Sequence, residues 1–167
     1  MIKTFNSLFV TMFGLGKIKF IPGTLGSLAT TFILYYLFRI VNISSIIILA
    51  GLIIIFIYSF YAVSSYVKNS ENKDPGEIII DEFLGQSIPI YLYEISHGTT
   101  KDDSQAIIYY FIFFILFRYF DIMKPFPVSF FDKNFKNSFG VIMDDICAGF
   151  YVVLTLVCFM IFKSYVL

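Results

Sequence analysis

Long runs of apolar residues, separated by short polar segments, are the feature that most constrains how this chain can fold. Only 14% of its 167 residues are charged, whereas 58% are hydrophobic. A soluble domain carries about 25% charged residues, so the deficit is too large for a surface that faces water. A helix of about 20 residues crosses the roughly 30 Å hydrocarbon core of a bilayer. The sequence therefore predicts an all-α, polytopic membrane helical bundle.

Five apolar segments are long enough to span a bilayer fully or in part. Residues 42–44 read as a tight turn, so the first two segments are predicted to form a helical hairpin. The chain length fits one domain covering residues 1–167. The five segments are residues 25–41, 45–67, 78–95, 104–120 and 146–162.

Two further elements are predicted before the first apolar segment. Four apolar side chains recur at helical spacing and predict an interfacial amphipathic helix over residues 3–13. These side chains are Phe5, Leu8, Phe9 and Met12. The glycine-rich stretch 14–27 is predicted to be a shaped loop rather than a helix.

The distribution of basic residues distinguishes two topologies. If residues 78–95 cross the membrane, a cytoplasmic N-terminus puts nine of the 12 Lys and Arg residues inside and three outside. If they do not cross, the split is seven to five. The positive-inside rule therefore favours five crossings. In that topology the main polar segments all face the cytoplasm, namely 14–27, 74–82, 118–127 and 144–145.

The fourth apolar segment ends in a stripe of alternating charge. Arg118, Asp121 and Lys124 follow one another at spacings of three, which places them on one face of a helix. Pro125 has no N–H and disfavours helix in the residue before it, so this helix is predicted to stop near Lys124. Both signs of charge are therefore held at the mouth of a membrane segment.

Several carboxylates are predicted to meet at the same membrane face. A carboxylate in the hydrocarbon core costs about 3 kcal/mol, and neighbouring carboxylates repel each other. A divalent cation offsets both penalties, and oxygen ligands suit Mg²⁺. The predicted Mg²⁺ ligands are Asp81, Glu82, Asp121, Asp144 and Asp145. The alternative is structural: Asp144 caps the fifth helix, and Asp81 and Glu82 are merely interfacial.

Basic and small residues nearby are candidate phosphate binders. Arg grips a phosphate with two parallel hydrogen bonds, and Lys acts as a point charge. Arg118, Lys124 and Lys17 are the candidates, although a positively charged membrane anchor is the competing role, above all for Lys17. Thr24 and Ser27 lie among glycines where the first span opens, and N–H groups at a helix N-terminus bind phosphate. Glycines there also suit close helix packing.

The residues that the chain lacks exclude several mechanisms. His97 is the single histidine and falls on the opposite side of the membrane in the favoured topology, which disfavours a two-histidine phosphatase. Cys147 and Cys158 are not followed five residues later by Arg, so a thiolate phosphatase loop is absent. There is no Cys/His zinc spacing. The net charge of zero gives no basic footprint for nucleic acid. Metal-assisted attack by water is what remains.

Four blocks of residues, in order along the chain, resemble the phosphatidylglycerophosphatase A family of bacterial membrane enzymes. The first joins Gly14-x-Gly16 to Pro22-Gly23-Thr24-x-Gly26-Ser27, and the second joins Asp74-Pro75 to Ile80-Asp81-Glu82 and Gly85-Gln86. The third is Arg118-x-Phe120-Asp121-x-x-Lys124-Pro125-x-Pro127, and the fourth runs from Gly140 through Met143-Asp144-Asp145 to Ala148-Gly149.

The resemblance implies Mg²⁺-dependent removal of the terminal phosphate from phosphatidylglycerophosphate, giving phosphatidylglycerol. It implies a multi-pass protein of the bacterial inner membrane whose active site faces the cytoplasm. Catalytic roles then fall to Asp81, Glu82, Asp121 and Asp145. Substrate binding falls to Lys17, Thr24, Ser27, Arg118 and Lys124.

Two other functional classes are compatible with parts of the pattern. A small ion or solute transporter also carries acids in its membrane segments, but it requires them deep within the spans. Here most acids lie at the predicted ends on one side. A phosphotransferase that makes phospholipids requires a dense Asp-rich motif on one helix, whereas these acids are scattered over several segments.

Overall fold

The computed structural model describes residues 2–68, 76–97, 102–135 and 137–166, and the described chain is helical without strands. The motif Asp74-Pro75 lies outside the described residues, as does the side chain of His97. The helices are α1 (Ile2–Val10), α2 (Pro22–Tyr35), α3 (Ser45–Val67), α4 (Ile80–His97), α5 (Asp103–Met123), α6 (Val128–Asn134) and α7 (Ser138–Val166). A 3₁₀ turn covers Leu15–Lys17, and a π-helical turn, Tyr36–Ile40, extends α2.

The prediction of an all-α membrane bundle is confirmed. Three of the described helices are long and apolar enough to cross a membrane: Ser45–Val67, Asp103–Met123 and Ser138–Tyr165. The other two predicted segments correspond to α2 with its π-helical turn and to α4. Helix α4 carries Asp81, Glu82 and Glu94, which gives it the character of a partial span.

Helix α4 forms the centre of the bundle and touches α2, α3, α5 and α7. Most of its residues are buried, including the polar Gln86 and Ser87. Pro89 lies inside this helix and has no N–H, so the carbonyl of Gly85 has no intrahelical donor four residues on. Gly149 of α7 packs against that same carbonyl, where a Cβ would overlap its oxygen. This glycine contact brings the backbones of α4 and α7 close together.

The predicted helix boundaries are correct for some segments and wrong for others. The second segment matches α3 at both ends, and α5 stops at Met123, just before Lys124 and Pro125 as predicted. The fifth helix was expected to begin after Asp144-Asp145, but α7 begins at Ser138 and encloses both acids. These carboxylates face the interior of the bundle, so they do not end the helix. The expected polar loop 121–144 likewise contains α6 and the first turns of α7.

The N-terminal part departs from the prediction at two points. Helix α1 ends at Val10 rather than at residue 13, and Asn6 on its inner face is buried and accepts a hydrogen bond from the Tyr58 hydroxyl at 2.7 Å. The stretch 14–27 is not a loop throughout, because α2 begins at Pro22. Proline is favoured in the first turn of a helix, where its missing N–H has no partner to lose.

Candidate active site

One cavity of about 350 Å³ lies where the first turns of α2 and α4, the last turn of α5 and the early part of α7 meet. Helix α6 and the residues around it close one side. Its polar lining comes from Thr24, Asp81, Glu82, Arg118, Asp121, Lys124, Asp132, Asp144 and Asp145. Segments far apart along the chain therefore contribute charged side chains to a single space.

Three carboxylates at this cavity converge closely enough to share a cation. Oxygen atoms of Asp81, Glu82 and Asp145 all lie within 4.8 Å of one another. Asp81 and Asp145 are buried, at 8% and 3% exposure. Within the described part of the chain, Glu82 Oε2 and Asp145 Oδ1 are buried and have no hydrogen-bond partner. Buried oxygens without a donor are costly unless something binds them. Hard oxygen donors in this arrangement fit Mg²⁺.

Arg118 crosses the cavity from α5 towards α2. Its Nη1 lies 2.8 Å from Asp121 Oδ2, one helical turn further on, and donates to Ser27 Oγ at 3.3 Å. The Ser27 hydroxyl in turn donates to the carbonyl of Gly23 at 2.9 Å. The Nε atom of Arg118 is buried and has no partner among the described residues. The guanidinium is therefore fixed in position while one of its donors remains free.

The absence of a side chain at Gly23 makes room for these charges. A Cβ at this position would overlap Glu82 Oε1 and would lie 3.1 Å from Arg118 Nη1. The first turn of α2 can thus approach both charged groups with its backbone. N–H groups exposed at a helix N-terminus favour anions, so this approach suits a phosphate.

Lys124, at the end of α5, forms ion pairs with acids of α6 and α7 at the cavity. Lys124 follows the last residue of α5 and has a φ of 43°, a left-handed backbone conformation that residues other than glycine seldom adopt. Its Nζ lies 2.6 Å from Asp132 Oδ1 and 3.0 Å from Asp144 Oδ2. Burial by itself lowers the pKa of Lys124, but the hydrogen bonds and charges of Asp132 and Asp144 outweigh it and raise this pKa above its ordinary value. Lys124 is therefore a fixed positive charge.

The contact between α7 and α4 fixes the position of α7 relative to the carboxylate cluster. A Cβ at Gly85 would overlap the carbonyl oxygen of Asp145, and Gly149 packs one turn further along. Small residues allow the backbones of membrane helices to approach this closely. The same backbone contact therefore positions Asp145 beside Asp81 and Glu82.

The structure brings most of the predicted site residues together, with two exceptions. All five predicted metal-ligating acids line the cavity, as do Arg118, Lys124 and Thr24. Ser27 is fully buried behind the cavity wall and contacts Arg118. Lys17 is exposed and does not line the cavity.

Asp132 is the charged cavity residue that the sequence analysis missed. It lies on α6, and its carboxylate contacts Lys124. The sequence held one signal, an acid eight residues after Lys124 in a segment rich in Phe and Pro. That signal could not be separated from an ordinary polar loop.

Chemically, the cavity combines an oxygen-rich cation site with two fixed positive charges. Arg118 and Lys124 can bind a phosphate group, while a metal ion at the carboxylates balances the negative charge of that phosphate. Phe126, just before α6, and Phe130 on α6 are 75% and 44% exposed, and in sequence they lie between the cavity residues Lys124 and Asp132. Exposed rings of this kind are compatible with acyl chains.

The chain matches the family model for phosphatidylglycerophosphatase A over residues 8–160. It is 34% identical to phosphatidylglycerophosphatase A of Haemophilus influenzae over 142 residues, which are 85% of this chain and 80% of that protein. It is 31% identical over 138 residues to the protein of the same name from Escherichia coli K12, covering 82% and 73% of the two chains. A Bacteroides thetaiotaomicron protein, provisionally named a phosphatidylinositol-3-phosphatase, is 32% identical over 142 residues, or 84% of each chain. No solved structure matches the chain significantly.

Proposed function

Because the chain belongs to the phosphatidylglycerophosphatase A family, we propose that it hydrolyses phosphatidylglycerophosphate to phosphatidylglycerol and phosphate with the help of Mg²⁺. The observation that carries the proposal is the convergence of Asp81, Glu82 and Asp145 beside Arg118 and Lys124 in one cavity. The relatives are named as phosphatases, and nothing in the comparisons supports a transporter.

Mg²⁺ would be held by Asp81, Glu82 and Asp145. A divalent cation there supplies Lewis-acid stabilisation of the charge that develops on the phosphoryl group. The support is the donor set itself, which consists of carboxylate oxygens, two of them buried without a hydrogen-bond partner among the described residues. Asp144 contributes negative charge close by and anchors Lys124 at 3.0 Å.

The chain's own cations would bind and orient the phosphate. Arg118 has a free Nε and a guanidinium held by Asp121 and Ser27, so it meets the phosphate with little loss of side-chain entropy. The backbone of the first turn of α2 at Gly23 and Thr24 lies on the same side of the cavity. Attack by water on a phosphate held between these groups is the reaction that this arrangement favours.

The assay that tests the proposal measures phosphate release from phosphatidylglycerophosphate in neutral detergent micelles, with Mg²⁺ and with excess EDTA. Release that EDTA abolishes and Mg²⁺ restores is expected. Asp121→Asn and Asp145→Asn should each lose most of the activity, while Asp103→Asn should retain it, because the Asp103 side chain is 68% exposed at the far end of α5. Wild-type activity in both cavity variants would contradict the proposed site.

The same assay separates the lipids that the relatives' names suggest. Phosphatidylinositol 3-phosphate, offered at the same mole fraction, is expected to be the poorer substrate, since two of the three relatives are named for phosphatidylglycerophosphate. Faster release from the inositol lipid would replace the substrate and leave the phosphatase chemistry in place.

We also propose that the protein lies in the bacterial inner membrane with this cavity facing the cytoplasm. The nine-to-three distribution of Lys and Arg supports that orientation. The test is labelling by a membrane-impermeant maleimide in spheroplasts of a variant that lacks both native cysteines. Lys19→Cys should be protected and Ser44→Cys should be labelled. The reverse pattern would place the cavity on the outer face.

A further inference from the structure

Lys124 is already engaged by two carboxylates before any substrate binds. Its ammonium has three N–H donors and no acceptor. Asp132 and Asp144 lie 2.6 Å and 3.0 Å from its Nζ, so two donors are occupied. One donor remains, so a phosphate that takes two hydrogen bonds from Lys124 must displace one of the two carboxylates.

The two carboxylates differ in how firmly they are held. Asp144 belongs to the long helix α7 and is close to fully buried, and its Oδ1 also accepts the backbone N–H of Asp145 at 2.9 Å. The side chain of Asp132 is 26% exposed and belongs to the seven-residue α6. Within the described residues its recorded polar contact is the one to Lys124. Asp132 is the carboxylate that can leave.

The segment around α6 combines firm attachment with access to the cavity. The rings of Phe131, Phe135 and Phe139 contact one another, and the Tyr151 hydroxyl donates to the carbonyl of Phe126. Asp132 lies between these apolar anchors and lines the cavity. Its carboxylate can therefore turn away from Lys124 towards water while the apolar contacts of α6 stay in place.

The charge balance of the cavity indicates how the contact between Asp132 and Lys124 affects the binding of lipids. Six carboxylates and two cations line it in the described chain, and both cations contact carboxylates. A monoanionic phosphodiester headgroup exchanges one negative charge for another at Lys124 and gains little. A phosphomonoester carries up to two negative charges and forms stronger charge-assisted hydrogen bonds.

We propose that Asp132 occupies the phosphate position on Lys124 in the free protein and so weakens the binding of every phosphate ligand there, which keeps the abundant, weakly binding monoanionic phosphodiester lipids off Lys124 while a phosphomonoester still binds. The inference rests on the proposed function and adds to it a residue that controls which lipids occupy the site. Phosphatidylglycerol, the product, is itself such a diester. Asp132 would therefore also weaken inhibition by the product lipid.

The test compares wild type with Asp132→Asn in neutral detergent micelles at fixed mole fractions of lipid. The KM for phosphatidylglycerophosphate and the inhibition constant of inorganic phosphate are expected to fall about threefold to tenfold, because the competing charge is gone. Inhibition by added phosphatidylglycerol should strengthen by a similar factor, and kcat should not rise. Asp132→Glu, which keeps the charge, should retain the wild-type KM and inhibition constants.

Two controls separate this role from a structural one. Asp103→Asn removes one negative charge at the far end of α5 and should change neither inhibition constant. Asp132→Ala removes the carboxylate by truncation and should repeat the changes seen with Asp132→Asn. A higher KM with a lower kcat and unchanged phosphate inhibition in both variants would mean that Asp132 only orients Lys124, which would overturn the inference. If the wild-type protein itself releases no phosphate from phosphatidylglycerophosphate, the proposed function would be contradicted instead.

Discussion

Two buried polar clusters occupy opposite ends of the same helices, and they differ in how completely their charges are paired. At the far end, Arg39 Nε lies 2.9 Å from Glu94 Oε1, and both side chains are about 95% buried. The hydroxyl of Tyr110 donates to the same oxygen at 3.0 Å. Here one cation meets one buried carboxylate and a neighbouring hydroxyl, and the exposed Asp103 lies 3.8 Å from Arg39 Nη1 at the edge of the cluster.

The cavity end has the opposite balance. Asp81, Glu82 and Asp145 crowd their oxygens within 4.8 Å, and the cations that could neutralise them contact other carboxylates instead. Glu82 lies about 18 Å from Glu94 along α4 at 1.5 Å per residue, so one helix carries both arrangements. From this comparison we expect the paired buried charges to hold the bundle together and the surplus carboxylates beside the cavity to be available to a ligand.

The largest effect is expected from Asp145→Asn, which tests whether the carboxylates at the cavity act in function and not in stability. Removing a ligand from the cation site should lower kcat by about a thousandfold. Stability should stay the same or rise, because the substitution removes a buried charge whose Oδ1 has no partner in the described chain. Phosphate release and thermal unfolding in detergent measure the two outcomes. Parallel losses of activity and stability would mean that both clusters are structural.

The next largest effect is expected in the paired cluster, where stability should fall and activity should change little. Glu94→Gln should destabilise the protein by about 3–5 kcal/mol, because it takes from the buried Arg39 charge its buried carboxylate partner. Activity per folded molecule should change less than about threefold, since the cavity lies at the other end of α4. Denaturant unfolding in micelles is the measurement. Asp103→Asn, which removes the exposed carboxylate 3.8 Å from the same Arg39, should cost far less because that pair is open to solvent. Full stability with lost activity would assign the far cluster to function.

A third substitution sharpens the comparison at the cavity without altering any charge. Gly23→Ala should lower kcat/KM by about a hundredfold, because the added Cβ would displace Glu82 and crowd Arg118. Gly51→Ala is the matched control, since no atom lies within 4 Å of a Cβ at that position. If both alanine variants behave like wild type, close backbone approach at Gly23 plays no part in the reaction.

The smallest effect is expected from Lys17→Gln. Lys17 is exposed and lies outside the cavity lining, so KM and kcat should each change less than about threefold. Lys19→Gln, two residues further on, should behave in the same way. A tenfold rise in KM for Lys17→Gln alone would return this side chain to substrate binding.

What the sequence predicted well depends on local rules. Helix α3 is a continuous apolar run with a turn before it, and α5 stops where Pro125 forbids its continuation. The convergence of the acids followed from the topology and from the cost of carboxylates in lipid. These inferences need no knowledge of which side chain faces which.

What the sequence did not predict depends on the tertiary environment. Asp144 and Asp145 were taken as the polar start of a helix, whereas they lie within α7 because the bundle interior supplies them with a polar cavity. Asp132 and α6 were hidden in an apparent loop. Lys17 lies outside the cavity lining, and its role in substrate binding stays a prediction, because the sequence alone does not show which residues of the turn before α2 face the cavity.

The glycine contact between α4 and α7 has a consequence for how the protein responds to its bilayer. Long helices adjust to thicker or thinner membranes by tilting. Gly85 and Gly149 join the two backbones within about one helical turn of Asp145, so tilting pivots near the carboxylates and displaces the remote helix ends most. The spacing of the acids should thus persist from short-chain to long-chain lipids while the lipid-facing surfaces of the helices shift.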